Sequence, residues 1–117
     1  MLARKRMAHF MKYTVEYPSD VPNASAEFRQ PETLRAVAVA AESLGFNAIA
    51  LSEHPAPSAK WRKYGGHDTF DPAVALAYFA AVTTRIRLMT NLFVLPFRNP
   101  YLTAKSLTSL DPCPVDD

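Results

Sequence analysis

Tyr13 to Tyr17, YTVEY, alternates β-forming side chains with polar ones and stops at Pro18, which has no amide hydrogen to give to a ladder. The pattern predicts a first strand. The loop from Ser19 to Gln30 carries Pro22, Asn23 and Ser25, which favour turns. The period then changes: Leu34, Val37, Ala38, Ala41 and Leu44 recur at helical spacing and make one apolar stripe. Pro31 suits the first helical position, Glu32 suits the positive end of the dipole, and Gly45 takes the left-handed conformation that ends the helix. NAIALS, residues 47–52, is a short unbroken apolar run, as expected of a parallel strand covered on both faces. After a long loop, Asp71 and Pro72 repeat the helix-start signal before an alanine-rich segment that runs to about Thr84. RLMTNLFVLP, residues 87–96, predicts a third strand, and Asn99 with Pro100 opens a third helix through Leu110.

Strand and helix thus alternate three times, which is the signature of an α/β fold with a parallel sheet and right-handed crossovers. A doubly wound sheet and a barrel both satisfy it. A TIM (β/α)8 barrel needs eight such units and about 250 residues, so 117 residues would hold its first three. Beyond Asp111 the residues PCPVDD carry two prolines and neither period. The expectation is a basic tail at 1–11, a partial barrel domain at 12–111 and a foreign-looking tail at 112–117, the frame ending early and the third strand keeping an unpaired edge.

Composition narrows the function classes. With 49% hydrophobic and 21% charged residues the chain is globular. Its formal charge of +2 comes from Arg4, Lys5 and Arg6, and without those three the balance is −1. Basic residues spread over a folded face among stacking aromatics, as nucleic-acid binding requires, are missing from the pattern. The run after the basic cluster, Met7 to Met11, contains His9 and is too short for an export signal. Ala73 to Val82, the longest apolar run, is too short for a bilayer and suits a buried helix. A lone cysteine, Cys113, excludes a disulfide within the chain and makes the reducing cytoplasm the expected compartment.

In either α/β architecture ligands meet the carboxyl ends of the strands, which here means Pro18 onward, Ser52 to Pro55 and Thr90 to Pro96. Glu53 and His54 directly follow the second strand, and an imidazole titrates near neutrality, so this pair is the leading candidate for proton transfer. The plainer alternative is that both only bond the loop backbone. Trp61 either stacks on a cofactor or packs against its neighbours. Gly65 and Gly66 suit either a closing loop or a simple turn before His67. Arg98, beside Asn99, reads as a helix-start residue. His9, His54 and His67 lack the spacing of a ligand set, so no metal is expected.

Taken together, AAESLGFNAIALSEH, then Trp61 with GGHDTFDP, then AAVTTRIRLMTNLFVLPFRNP and LTAKSLTSLD resemble the luciferase-like flavin-dependent oxidoreductases, particularly the branch that uses a deazaflavin. The resemblance covers about Lys12 to Asp111. It implies a TIM barrel with the cofactor ring, FMN or deazaflavin, at the carboxyl ends of the strands. It places His54 beside that ring as proton donor or base with Glu53 next to it, where the family usually has aspartate. It implies Thr90, Asn91, Leu92 and Val94 on the cofactor, with a non-proline cis peptide at Asn91–Leu92, and Trp61 and His67 on the substrate side. Family members also tend to pair through early helices, so a homodimer is expected.

The function expected is therefore hydride transfer, or oxygen activation, on a small organic substrate by a bound flavin or deazaflavin. The rival expectation is an inactive piece that acts in assembly through its open sheet edge. A third is a barrel or doubly wound enzyme of unrelated chemistry.

Overall fold

The computed structural model describes residues 11–19 and 21–110. The terminal segments expected at 1–11 and 112–117, with Arg4, Lys5, Arg6, His9 and Cys113, lie outside the described residues apart from Met11.

The described elements follow the expected order. Strand β1 is Thr14–Glu16, helix α1 Pro31–Ser43, strand β2 Ala48–Leu51, helix α2 Ala59–Lys63, helix α3 Pro72–Val82, strand β3 Arg87–Thr90 and helix α4 Pro100–Leu110. Two single 3-10 turns, Ala26–Arg29 and Leu95–Phe97, precede α1 and α4. The sheet runs β1-β2-β3 with both pairings parallel. Val15 lies opposite Ile49, and Ile49 opposite Leu88.

The central strand is buried at all four positions, which is why its sequence shows no alternation, whereas β3 alternates exposed and half-buried residues. Leu34, Ala38 and Ala41 of α1 and Ala75, Leu76 and Phe79 of α3 cover the sheet, and Tyr17, Ile49 and Leu51 join them in one core. Tyr17 keeps its hydroxyl satisfied by donating to the Phe28 carbonyl at 2.7 Å.

Local signals explain the helix ends. Gly45 has φ +84 just after α1. Asp71 Oδ1 accepts from the Val74 N–H at 3.1 Å to cap α3, and Asn99 Oδ1 accepts from Tyr101 and Leu102 N–H at 3.0 and 3.2 Å to start α4. The expected third strand is shortened: the ladder stops at Thr90, and residues 91–96 leave the sheet. Leu92, with φ +107, turns the chain out of extended geometry, and Pro96 cannot donate to a ladder.

Candidate functional site

The carboxyl ends of the three strands meet on one side of the sheet, and two groups of side chains gather there. The first surrounds His54. Its backbone N–H donates to Thr69 Oγ1 at 2.9 Å, which ties the end of β2 to the segment leading into α3. Its ring centroid lies 4.7 Å from that of Trp61 and 4.9 Å from that of His67, and Trp61 and His67 are 5.5 Å apart. The three rings form a small half-exposed cage, with His67 Nδ1 buried and without a partner among the described residues.

The cage is built by the loop after β2. Ser58 caps α2 by accepting from the Trp61 N–H at 3.1 Å, and Gly65, with φ +101, turns the chain back. Gly66 lies under the indole: a Cβ there would come within 2.2 Å of Trp61 Cε3. Asp68 then pairs with Arg62 at 2.7 Å and with Arg29 at 3.5 Å, closing the loop on itself. The two glycines therefore serve a turn that seats the indole beside His54.

The second group is the end of β3. Asn91 N–H donates to the Leu51 carbonyl at 2.7 Å, one step past the strand, and its side-chain amide donates to Glu16 Oε1 at 3.3 Å across the tip of β2. Thr90 is the last residue of β3 and is half-buried, Leu92 is exposed, and Val94 is half-buried. No peptide bond among the described residues is cis, so the bond expected to be cis at Asn91–Leu92 is trans. A cis bond there would cost about 3 to 4 kcal/mol, and the exposed outer side of β3 supplies no packing to enforce it. The turn is made by the positive φ of Leu92 instead, a conformation that costs a bulky residue about 1–3 kcal/mol.

Glu53 joins the two groups. It is only 4% exposed, accepts from the Val94 N–H at 2.6 Å and is bound by Arg98 Nη2. Arg98 Nη2 also donates to Asp71 Oδ2 at 2.7 Å, and the guanidinium carbon lies 4.2 Å from the centre of the Phe93 ring. Hydrogen bonding to Glu53 first, and then to Asp71, raises the Arg98 pKa against its partial burial. Burial opposes the charge on Asp71, but Arg98 and the Val74 N–H outweigh it and hold that carboxyl below its ordinary value. A cleft of about 270 Å3 opens beside this network, lined by Glu53, His54, Thr69, Phe70, Asp71 and Arg98 among others.

Of the residues singled out in the sequence, the fold brings His54, Trp61 and His67 into ring contact and places Thr90 at the end of β3 with Asn91, Leu92 and Val94 in the loop that follows. Sequence reasoning missed the part played by Arg98, whose partners lie 45 and 27 residues away, and by Glu16 and Thr69. The larger groove of about 950 Å3 lies elsewhere, between α3, α4 and the outer side of β3, with Leu76, Leu88, Leu107 and Leu110 in its walls. Its walls are mixed, with Thr83, Arg85, Arg87 and Thr90 beside the leucines, and none of the imidazoles lines it.

The sequence model of the luciferase-like monooxygenase family matches residues 10–113. An F420-dependent glucose-6-phosphate dehydrogenase of Tsukamurella paurometabola is 40% identical over 91 residues, covering 74% of this chain and 25% of the relative. The enzymes of the same name from Gordonia bronchialis and Mycobacterium avium are also 40% identical over 91 residues, with the same shares. The chain spans about a quarter of the length of these curated relatives.

Proposed function

The chain belongs to the luciferase-like monooxygenase family, and on that premise we propose that it forms part of the cofactor end of a (β/α)8-barrel oxidoreductase that transfers hydride to or from a deazaflavin. The observation that carries this reading is the imidazole of His54 at the carboxyl end of β2, packed against Trp61 and His67. The relatives named as F420-dependent favour a deazaflavin over FMN.

The residues present suit a flat heteroaromatic ring. The rings of His54, Trp61 and His67 gather after β2, Leu92 is exposed after β3, and the buried Nδ1 of His67 has a hydrogen bond still to make. Thr90, Asn91, Leu92 and Val94 would hold the cofactor, and Trp61 and His67 would border a small organic substrate. When bound, a deazaflavin supplies a two-electron hydride acceptor or donor. His54 takes or gives the proton at its ring nitrogen, and its backbone anchor on Thr69 keeps it oriented. Trp61 excludes water from one side of the imidazole. Glu53, at the adjoining position, has its carboxylate taken up by Val94 and Arg98.

Fluorescence titration of the 117-residue chain with a deazaflavin, with FMN in parallel, tests the reading. Saturable deazaflavin binding that is lost in His54→Ala is expected. Equal binding by the variant would remove His54 from the site, and no binding to either cofactor would overturn the reading for this chain.

A second reading is that the chain acts as an assembly piece without turnover. Its support is the open outer edges of β1 and β3 within the described sheet, together with α4, which buries no residue. Sedimentation velocity showing a compact monomer across a wide concentration range would remove this alternative; concentration-dependent dimers, as expected of a homodimer, would favour it.

A further inference from the structure

Glu53 is the most deeply buried charged group among the described residues, and it stands between the two halves of the site. A carboxylate removed from water to this degree needs a cation and hydrogen-bond donors. It has both: Oε2 accepts from the Val94 N–H, and Oε1 from Arg98. Arg98 is itself fixed, held by Asp71 at the first turn of α3 and lying on the Phe93 ring. One ion-paired cluster therefore fastens three pieces of chain, the end of β2, the loop after β3 and the start of α3, and it does so beyond the backbone bond from Asn91 to Leu51.

Apart from the Glu53 contact to Val94, only Asn91 ties that loop to the sheet among the described residues, through Leu51 and Glu16. Residues 91–94 have left the sheet, Leu92 holds a positive φ, and Asn91 and Leu92 are exposed. We propose that Arg98 and Glu53 are positioning residues, whose ion pair sets the 91–94 loop at a fixed spacing from the His54 imidazole. This rests on the reading of those two groups as the cofactor and proton sides of one site. Both carboxylates are reached through the single nitrogen Nη2, and what a lysine would lack is the planar, delocalised group that lies over the Phe93 ring while it donates.

The test separates holding the fold together from holding the loop in place. Replacing a buried ion pair by apolar residues of similar size often leaves stability unchanged, whereas removing one partner does not. Four variants of the 117-residue chain are compared with the native protein: Arg98→Lys, Arg98→Met, Glu53→Gln and the double variant Glu53→Leu/Arg98→Met. Readouts are thermal melting, amide hydrogen exchange at Leu92 and Phe93, the His54 ring-proton resonance and deazaflavin affinity.

The expected result is that the double variant melts close to the native protein. Its Leu92 and Phe93 amides exchange about tenfold faster, its His54 resonance shifts, and its deazaflavin affinity falls about tenfold. Arg98→Lys should show the same loop and affinity changes while it remains folded. If exchange, resonance and affinity return to native values in the double variant along with its stability, the pair is only structural and the proposal is overturned. If the native chain binds no deazaflavin, the cofactor reading fails on its own. The positioning role is then decided by exchange and by the His54 resonance, and native values of both in Arg98→Lys would sink it.

Discussion

Two carboxylates, Glu42 and Glu53, grip the chain on either side of β3, and they do so by opposite means. Glu53, at the carboxyl end of the sheet, is buried and balanced by a guanidinium, with a single backbone N–H from Val94. Glu42, in the last turn of α1 near the amino end of β3, has no cation partner among the described residues. Its carboxylate accepts instead from three consecutive backbone N–H groups, Thr84 at 2.9 Å, Arg85 at 2.5 Å and Ile86 at 2.9 Å, and from the Thr84 hydroxyl at 3.3 Å. Those peptide dipoles lower its pKa from 4.5 to about 2, the Ile86 N–H contributing most. The amino-end contact closes a turn between two elements of the core. The carboxyl-end contact is built largely from side chains and lies beside the His54 imidazole and the loop after β3, the division of labour expected between the two ends of parallel strands.

Four substitutions bear on this contrast. The largest loss is expected for Arg98→Met, which leaves Glu53 buried and uncompensated and should cost about 3–5 kcal/mol in urea unfolding. A cost no greater than that of an exposed salt bridge would erase the difference between the two contacts. Asp71→Ala should cost about 1 kcal/mol through the lost cap of α3 and should also loosen Arg98. A double-mutant cycle between Asp71 and Arg98 checks the second effect, since independent sites would add.

Glu42→Gln should lower the melting midpoint at pH 7 and flatten its acid dependence. Folding depresses the Glu42 pKa, so its contribution is complete above about pH 4.5 and is lost as pH falls toward about 2. Melting curves between pH 7 and 2.5 for native and variant chains should converge at the acid end. Parallel curves would place the acid sensitivity elsewhere. The smallest effect on stability is expected for Gly66→Ala, because Trp61 is 39% exposed and can swing away from the added methyl group. Its tryptophan emission should nevertheless shift as the indole leaves His54, and an unchanged spectrum would mean that the ring cage tolerates the side chain.

The three strand and helix units were readable because their signals are local. Pro31, Pro72 and Pro100 open helices, Gly45 closes one, and the apolar run in β2 reports burial on both faces. The early end of β3 was not readable, because Leu92 gives no sign in its own chemistry of the positive φ that the surrounding chain imposes. Helix α2 escaped because five residues are too few for a period, although Ser58 ahead of it is a capping residue. The position of His54 just after β2 was readable from its place behind an apolar run. Arg98 looked like an ordinary helix-start residue because Glu53 and Asp71 come to it only through the fold. A glutamate placed immediately after a fully apolar strand was the available hint, since a carboxylate at such a depth calls for a cation from elsewhere.

The sheet has one further property. Its middle strand is fully spoken for, while β1 and β3 each turn a row of amides and carbonyls outward among the described residues. Both margins belong to parallel pairings, so a further parallel strand would find unpaired amides and carbonyls on either side. The three-unit block is in this sense a seed that grows sideways, each addition finding its template already laid.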